Sequence, residues 1–387
     1  MGSPRSEGTT LRAARDFSRR LVLKSALATS SIAAVGPWIV KNAFSSSGEL
    51  VWFTWDDYTP KGFSQKFVED TGIDLKIEVF TGNEDALNKM RASGGEGYDL
   101  VTPGLAWVSA GVDFGFYDPL DLGKVTNYGK IDPAFADRAG KLGAMRDGKT
   151  YAVPFTWSTE ALGAHKDVSL EYGNASYGML WDSQYKGKVM ARGRTLLLSI
   201  GLWMEHSGKM EPGTMLRAYS DEEVMKRAYG ETLAYAISNK EQIGQFWLKG
   251  AEQKAALLQN GCVIGLCWDS IVFSLQKDKQ PYRYLAPAEG ALTVMDTHAL
   301  AKGAKNVEQA YALINWTLQP EIGGLMTSNV GYNSVVDGAE THYSEDYKRF
   351  FAAALPGDAV QKLFVQGTER PWFIAERQRM VDQLLAA

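Results

Sequence analysis

From residue 49 onward, short runs rich in β-branched and aromatic residues alternate with stretches of helical periodicity, and this constrains the fold more than any other feature of the chain. The β-rich runs fall at 50–54, 75–80 and 98–101, with helical patterns at 62–71 and 84–92 between them. Strands separated by helices at this spacing predict βαβ units around a parallel sheet. The residues that follow the strands, 55–60, 81–83 and 102–104, then gather at the carboxyl edge, where open α/β sheets bind ligands. Trp55 and Tyr58 fall in the first of these segments.

A second βα-rich region begins after Tyr151-Ala-Val-Pro-Phe-Thr-Trp157, a β-rich run broken by Pro154 and suited to cross from one lobe to another. Its elements include 188–191, a helical 253–258 and a strand at 263–268. At roughly 150 residues per domain, the body of the chain holds two lobes. A return crossover near 287–295 makes both discontinuous. The expected division is 47–153 plus 292–340 for one lobe and 154–291 plus 341–387 for the other. The fold class is α/β, each lobe a mixed, mainly parallel sheet flanked by helices.

Charge narrows the partners. The 387 residues carry 41 Lys+Arg against 45 Asp+Glu, but residues 1–43 hold seven of the bases and two of the acids. The remainder has 34 basic and 43 acidic residues, a net charge of −9 and no basic footprint for nucleic acid. A cationic partner suits such a body better than an anionic polymer.

The amino terminus reads as an address. Ser18-Arg19-Arg20-Leu21-Val22-Leu23-Lys24 opens a small-residue, moderately apolar stretch interrupted by Ser30, Ser31, Gly36 and Pro37, and it resembles a twin-arginine export signal, with Val22 where Phe is commonest. Residues 1–46 are assigned to signal and leader, implying a periplasmic protein. Cleavage anywhere between 35 and 47 and retention as an anchor both stay open. Cys262 and Cys267 read as two buried thiols, because positions five apart on one strand face opposite sides of a sheet.

Catalytic signatures are sparse. There is no Gly-x-Ser-x-Gly elbow and no phosphate loop, and His165, His206, His298 and His342 are widely spaced, which argues against catalysis, cofactor or metal. His298 is the histidine to watch, two residues beyond Asp296. Asp56-Asp57 and Glu222-Glu223 read as solvated charges, since adjacent side chains diverge. An exported enzyme is the rival reading from another class.

Several segments together resemble one family. Phe53-Thr-Trp55-Asp-Asp-Tyr58, Tyr98-Asp-Leu-Val-Thr-Pro103, Tyr151 to Trp157, Val294-Met-Asp296-Thr, Ala310-Tyr-Ala-Leu-Ile-Asn315-Trp and Val330-Gly-Tyr332 occur in the order seen in periplasmic spermidine/putrescine-type binding proteins of ABC importers. The resemblance implies a type II periplasmic binding protein fold, a small amine trapped between closing lobes, and delivery by a monomer to a membrane permease. It also implies an aromatic box at Trp55, Tyr58, Trp268 and Tyr332, with Asp296 meeting an amino group. Ring faces attract ammonium by about 0.5–2 kcal/mol per contact.

Two departures stand out. Pro103-Gly-Leu-Ala-Trp107 replaces a polar Ser and Tyr, with Trp107 as a partial substitute. Ala191-Arg192-Gly-Arg194-Thr-Leu196 places two arginines where spermidine binders carry an acidic pair. A guanidinium suits a carboxylate or phosphate and repels a second ammonium. Two readings stand: Arg192 or Arg194 receives the acid of an ω-amino acid such as 4-aminobutyrate, or of an aminophosphonate, or the arginines face solvent or pair with Glu205.

Overall fold

The computed structural model describes residues 48–56 and 58–387. The export signal read at 1–46 and the carboxylate of Asp57 lie outside the described residues.

The chain opens with β1 (Glu49–Trp55), α1 (Phe63–Thr71), β2 (Asp74–Phe80), α2 (Asn83–Ala92), β3 (Leu100–Val101) and α3 (Leu105–Asp113). β1 lies parallel to both β2 and β3, as the alternation predicts. Glycine punctuates α1: Gly62 and Gly72 adopt φ of 84° and 75°, and the Gly72 amide closes the helix on the Val68 carbonyl. The short α4 (Pro133–Ala139) starts from an Asp132 side chain that accepts the Ala134 amide, with proline at the first position, where no N–H is needed.

Next come β4 (Val153–His165), β5 (Val189–Ala191), α5 (Gly193–His206), α6 (Glu222–Ser238), β6 (Ile243–Phe246), α7 (Gly250–Leu258), β7 (Ile264–Trp268), α8 (Asp269–Lys277), β8 (Leu292–Ala301), α9 (Val307–Thr317) and α10 (Pro371–Ala386). The principal sheet order is β2-β1-β3-β8-β4-β7-β5-β6. One wing, β2-β1-β3, is parallel, as are the β7-β5 and β5-β6 pairings of the other. The long strands β8 and β4 run antiparallel to each other and join the wings. The segments expected at 151–157 and 287–295 run into these two strands, β4 and β8. Pro154 is accommodated because the β8–β4 register shifts between Asp296 and Thr297, and Thr297 rather than Asp296 faces the proline. A residue without an N–H is tolerated at such an irregularity.

Two apolar clusters stand on this frame. One includes Trp52, Phe63, Phe67 and Trp316, joining β1, α1 and α9. The other gathers Leu196, Leu197, Ile200, Tyr229 and Phe373 from α5, α6 and α10. Cys262 and Cys267 are both free and buried, and burial pushes the Cys262 thiol up to about 11. Cys262 precedes β7 rather than lying on it.

Candidate functional site

A cavity of about 880 Å³, counting its mouth, opens where β1, β4 and β8 meet the start of α5. All eight residues singled out from sequence line it: Trp55, Tyr58, Trp107, Arg192, Arg194, Trp268, Asp296 and Tyr332.

They fall into two groups. Trp55 ends β1, and its indole N–H donates to the Thr102 carbonyl at 3.1 Å. Tyr58 is buried in the turn after β1; its hydroxyl donates to Asp296 Oδ2 and lies 3.1 Å from Thr156 Oγ1. Asp296 pairs with Thr156 in the sheet, so cross-strand geometry brings these polar groups to one face. Tyr332 meets Tyr58 edge-on at 4.8 Å, and Trp55 lies 6.4 Å from Tyr58. Burial and the Asp296 charge raise the Tyr58 phenol well above its usual value, so it stays a donor at neutral pH. This half is an acid in an aromatic wall.

The other half is occupied by the protein's own cations. The Arg192 guanidinium lies 5.5 Å from the Trp268 ring centre and 5.6 Å from that of Trp247. Arg377 lies 5.6 Å from Trp107. Trp268 and Trp107 therefore already have cations near their rings, and the aromatic groups beside Asp296 are Trp55, Tyr58 and Tyr332. Burial lowers Arg192 to about 10, against the opposing pull of Glu160 and Glu84.

The loop expected at 191–196 is instead the end of β5 and the first turn of α5, with Arg192 at the N-cap position and no side chain capping the helix. Arg192 does not face solvent, being 5% exposed, and neither arginine pairs with Glu205. Glu205 accepts the Gly213 and Met215 amides. Arg194 Nη1 lies 3.9 Å from Glu84 of α2, and Arg377 Nη2 lies 3.5 Å from the same carboxylate. Burial opposes ionisation of Glu84, but Arg194, Arg377 and Arg192 outweigh it and hold the carboxyl below its ordinary value.

Sequence reasoning missed several lining residues. Glu160, fully embedded in β4, accepts a hydrogen bond from Thr195 in the first turn of α5. Burial raises its carboxyl, opposed by Arg192, Thr195, Arg194 and Trp268. Arg138 and Phe135 arrive from α4, with Phe135 stacked 5.9 Å from Trp157. Gln366 and Glu369 come from the segment before α10, and Glu369 is bound by Arg377 at 2.5 Å. The motif containing Trp157 was read for its crossover, not its side chains. Period-2 spacing from Thr156 through Ser158 to Glu160 was the available signal for Glu160.

His298 is not a site residue. It lies buried between Thr102 and Thr317 and stacks 4.1 Å from Phe155, and burial lowers it to about 3. Asp56, Glu222 and Glu223 are exposed, as expected of solvated charges. Among the described residues, no group of three or more His, Cys, Asp or Glu side chains is arranged to hold a metal ion.

A two-winged α/β frame around a lined central cavity defines a solute-binding protein, and the chain belongs to the bacterial extracellular solute-binding protein family, whose model matches residues 63–353. Within it the chain is similar to the spermidine/putrescine-binding periplasmic protein of Escherichia coli (strain K12), 24% identical over 321 residues that cover 82% of this chain and 84% of that one. A putative spermidine/putrescine ABC transporter structure from Listeria monocytogenes superposes with a TM-score of 0.71 at 20% identity, covering 88% of this chain and 99% of that one. The structure of a GABA receptor gives a TM-score of 0.62 at 17% identity, covering 87% and 97%. The resemblance read from the ordered motifs is thus borne out, as is the type II fold.

Proposed function

We propose that this protein is the periplasmic receptor of an ABC importer, which captures an amine-bearing small solute of the putrescine/spermidine class and hands it to a membrane permease. The observation that carries this reading is the buried Asp296 carboxylate, held by Tyr58 and walled by Trp55 and Tyr332. A buried carboxylate in an aromatic wall is complementary to an ammonium group through charge and the ring quadrupole together. The named polyamine-binding relatives support the same solute class.

Residues 47–153 plus 292–340 and 154–291 plus 341–387 act as the two lobes, moving about β4 and β8. A solute that touches Asp296 from one side and the α5 end from the other favours the closed arrangement, because closure adds contacts the open form lacks. The Glu84–Arg194 and Glu84–Arg377 approaches link α2 to α5 and α10 and strengthen that arrangement. The protein works as a monomer and performs no chemistry on its cargo, and its amino-terminal segment exports it by the twin-arginine route.

A thermal-shift screen of the purified protein against putrescine, spermidine, 4-aminobutyrate and neutral solutes of equal size tests the proposal. A ligand at a hundredfold excess over its Kd stabilises the folded state by about 2.7 kcal/mol. Stabilisation confined to amines is expected. Stabilisation by neutral solutes alone defeats the reading.

A further inference from the structure

The polar atoms at the α5 end of the cavity have an unusual balance. Arg194 Nε and Nη1 are buried without a hydrogen-bond acceptor, because the 3.9 Å approach of Nη1 to Glu84 is beyond hydrogen-bond reach. Gln366 Nε2 is in the same position on a side chain that is only 9% exposed. Both residues line the cavity. Arg194 lies in the first turn of α5, a 14-residue helix with no side-chain cap whose dipole adds positive potential there. A helix terminus alone says little, but two unmet guanidinium donors in its first turn and a third unmet donor, Gln366, in the lining of the same cavity call for an anionic acceptor.

One acceptor is present. Glu369 Oε2 also lines this region without a partner, but its charge is matched by Arg377 on the other oxygen. Glu160 is likewise engaged by Thr195 and by the electrostatic pull of Arg192. Glu84 lies between Arg194 and Arg377, so the three acids at this end all have internal cations already.

We infer that the α5 end is a carboxylate subsite, so that the solute carries an ammonium at Asp296 and an acid group at Arg194 and Gln366. The inference rests on the amine reading above for the ammonium at Asp296, and it departs from the putrescine/spermidine class in the group at the solute's other end. A second ammonium at this end finds Glu84, Glu160 and Glu369 already matched and meets repulsion from Arg192, Arg194 and Arg377. Desolvation makes that repulsion and the unmet donors costly.

Putrescine and 4-aminobutyrate form a matched pair, with one ammonium in common and the second replaced by a carboxylate. Isothermal titration of the whole protein at pH 7 is expected to give 4-aminobutyrate at least a tenfold lower Kd than putrescine. Arg194→Gln should weaken 4-aminobutyrate tenfold or more and leave putrescine as tight as in the wild type or tighter. Gln366→Leu leaves every ion pair intact and should narrow the ratio in the same direction, which separates an acid contact from a folding defect in the arginine variant. Equal affinities, tighter putrescine or spermidine, or a ratio unmoved in both variants overturns the carboxylate subsite while leaving the amine reading in place. Loss of binding to every amine and amino acid defeats the amine reading and this inference with it.

Discussion

Asp296→Asn isolates the charge on which the proposed amine capture depends. Asparagine keeps the shape and an oxygen that can accept from Tyr58, and the backbone pairing of residue 296 with Thr156 and Gly104 is untouched. What disappears is the negative charge, at a position only 5% exposed to solvent. A hydrogen bond to a charged group contributes about 1.5–3 kcal/mol, and removing one partner of a buried charged contact costs about 2–5 kcal/mol. A loss near 3 kcal/mol corresponds to a roughly 150-fold rise in Kd, at about 1.4 kcal/mol per tenfold. Isothermal titration with whichever amine binds the wild type most tightly reads this directly, and circular dichroism melts establish that the variant is folded. A folded variant whose Kd stays within threefold of wild type refutes the assignment of Asp296 as the ammonium partner.

Three further outcomes follow from the same geometry. Trp55→Ala and Tyr332→Ala should each weaken amine binding by about 0.5–2 kcal/mol, the range of a cation–ring contact, and titration calorimetry that finds no change in either removes the aromatic wall from the account. Arg377→Met strands Glu369, which is 0% exposed, and should cost about 3–5 kcal/mol in urea unfolding, most of it regained in the Arg377→Met/Glu369→Met pair. His298, held near a value of about 3 by burial, stays neutral in the folded protein while the unfolded chain takes up a proton below about 6.5. Its neutral form therefore stabilises fully above pH 6.5, and the contribution is lost as pH falls towards 3, at up to about 1.4 kcal/mol per pH unit. His298→Gln should flatten the pH dependence of urea unfolding in that window, and an unchanged slope contradicts the argument.

Much of the frame was legible because its signals are local. The β1-α1-β2-α2-β3 succession followed from residue periodicity, and Gly62 and Gly72 end α1 where chain chemistry requires a left-handed residue. Pro154 marked an irregularity of the sheet, where a residue without an N–H is tolerated. The acid and aromatic half of the cavity was legible through ordered motifs at Trp55, Tyr58, Asp296 and Tyr332. The other half was not, since Glu160, Arg138, Gln366 and Glu369 meet only when β4, α4 and the segment before α10 converge. Arg138, Gln366 and Glu369 are ordinary charged or amide residues with no spacing to mark them, and Glu160 is marked only by its period-2 spacing from Thr156. Arg192 and Arg194 were visible, but their states were not: only the folded arrangement sets Arg192 near two indoles while leaving Arg194 donors unmet.

The proposed function requires an amine held in this cavity with its nitrogen at Asp296. A crystal structure of the protein grown with the tightest-binding amine tests it most directly. The account predicts a ligand nitrogen within hydrogen-bond distance of the Asp296 carboxylate, lying among Trp55, Tyr58 and Tyr332. A ligand bound outside the cavity, or inside it with its ammonium at the α5 end and no nitrogen near Asp296, contradicts the claim.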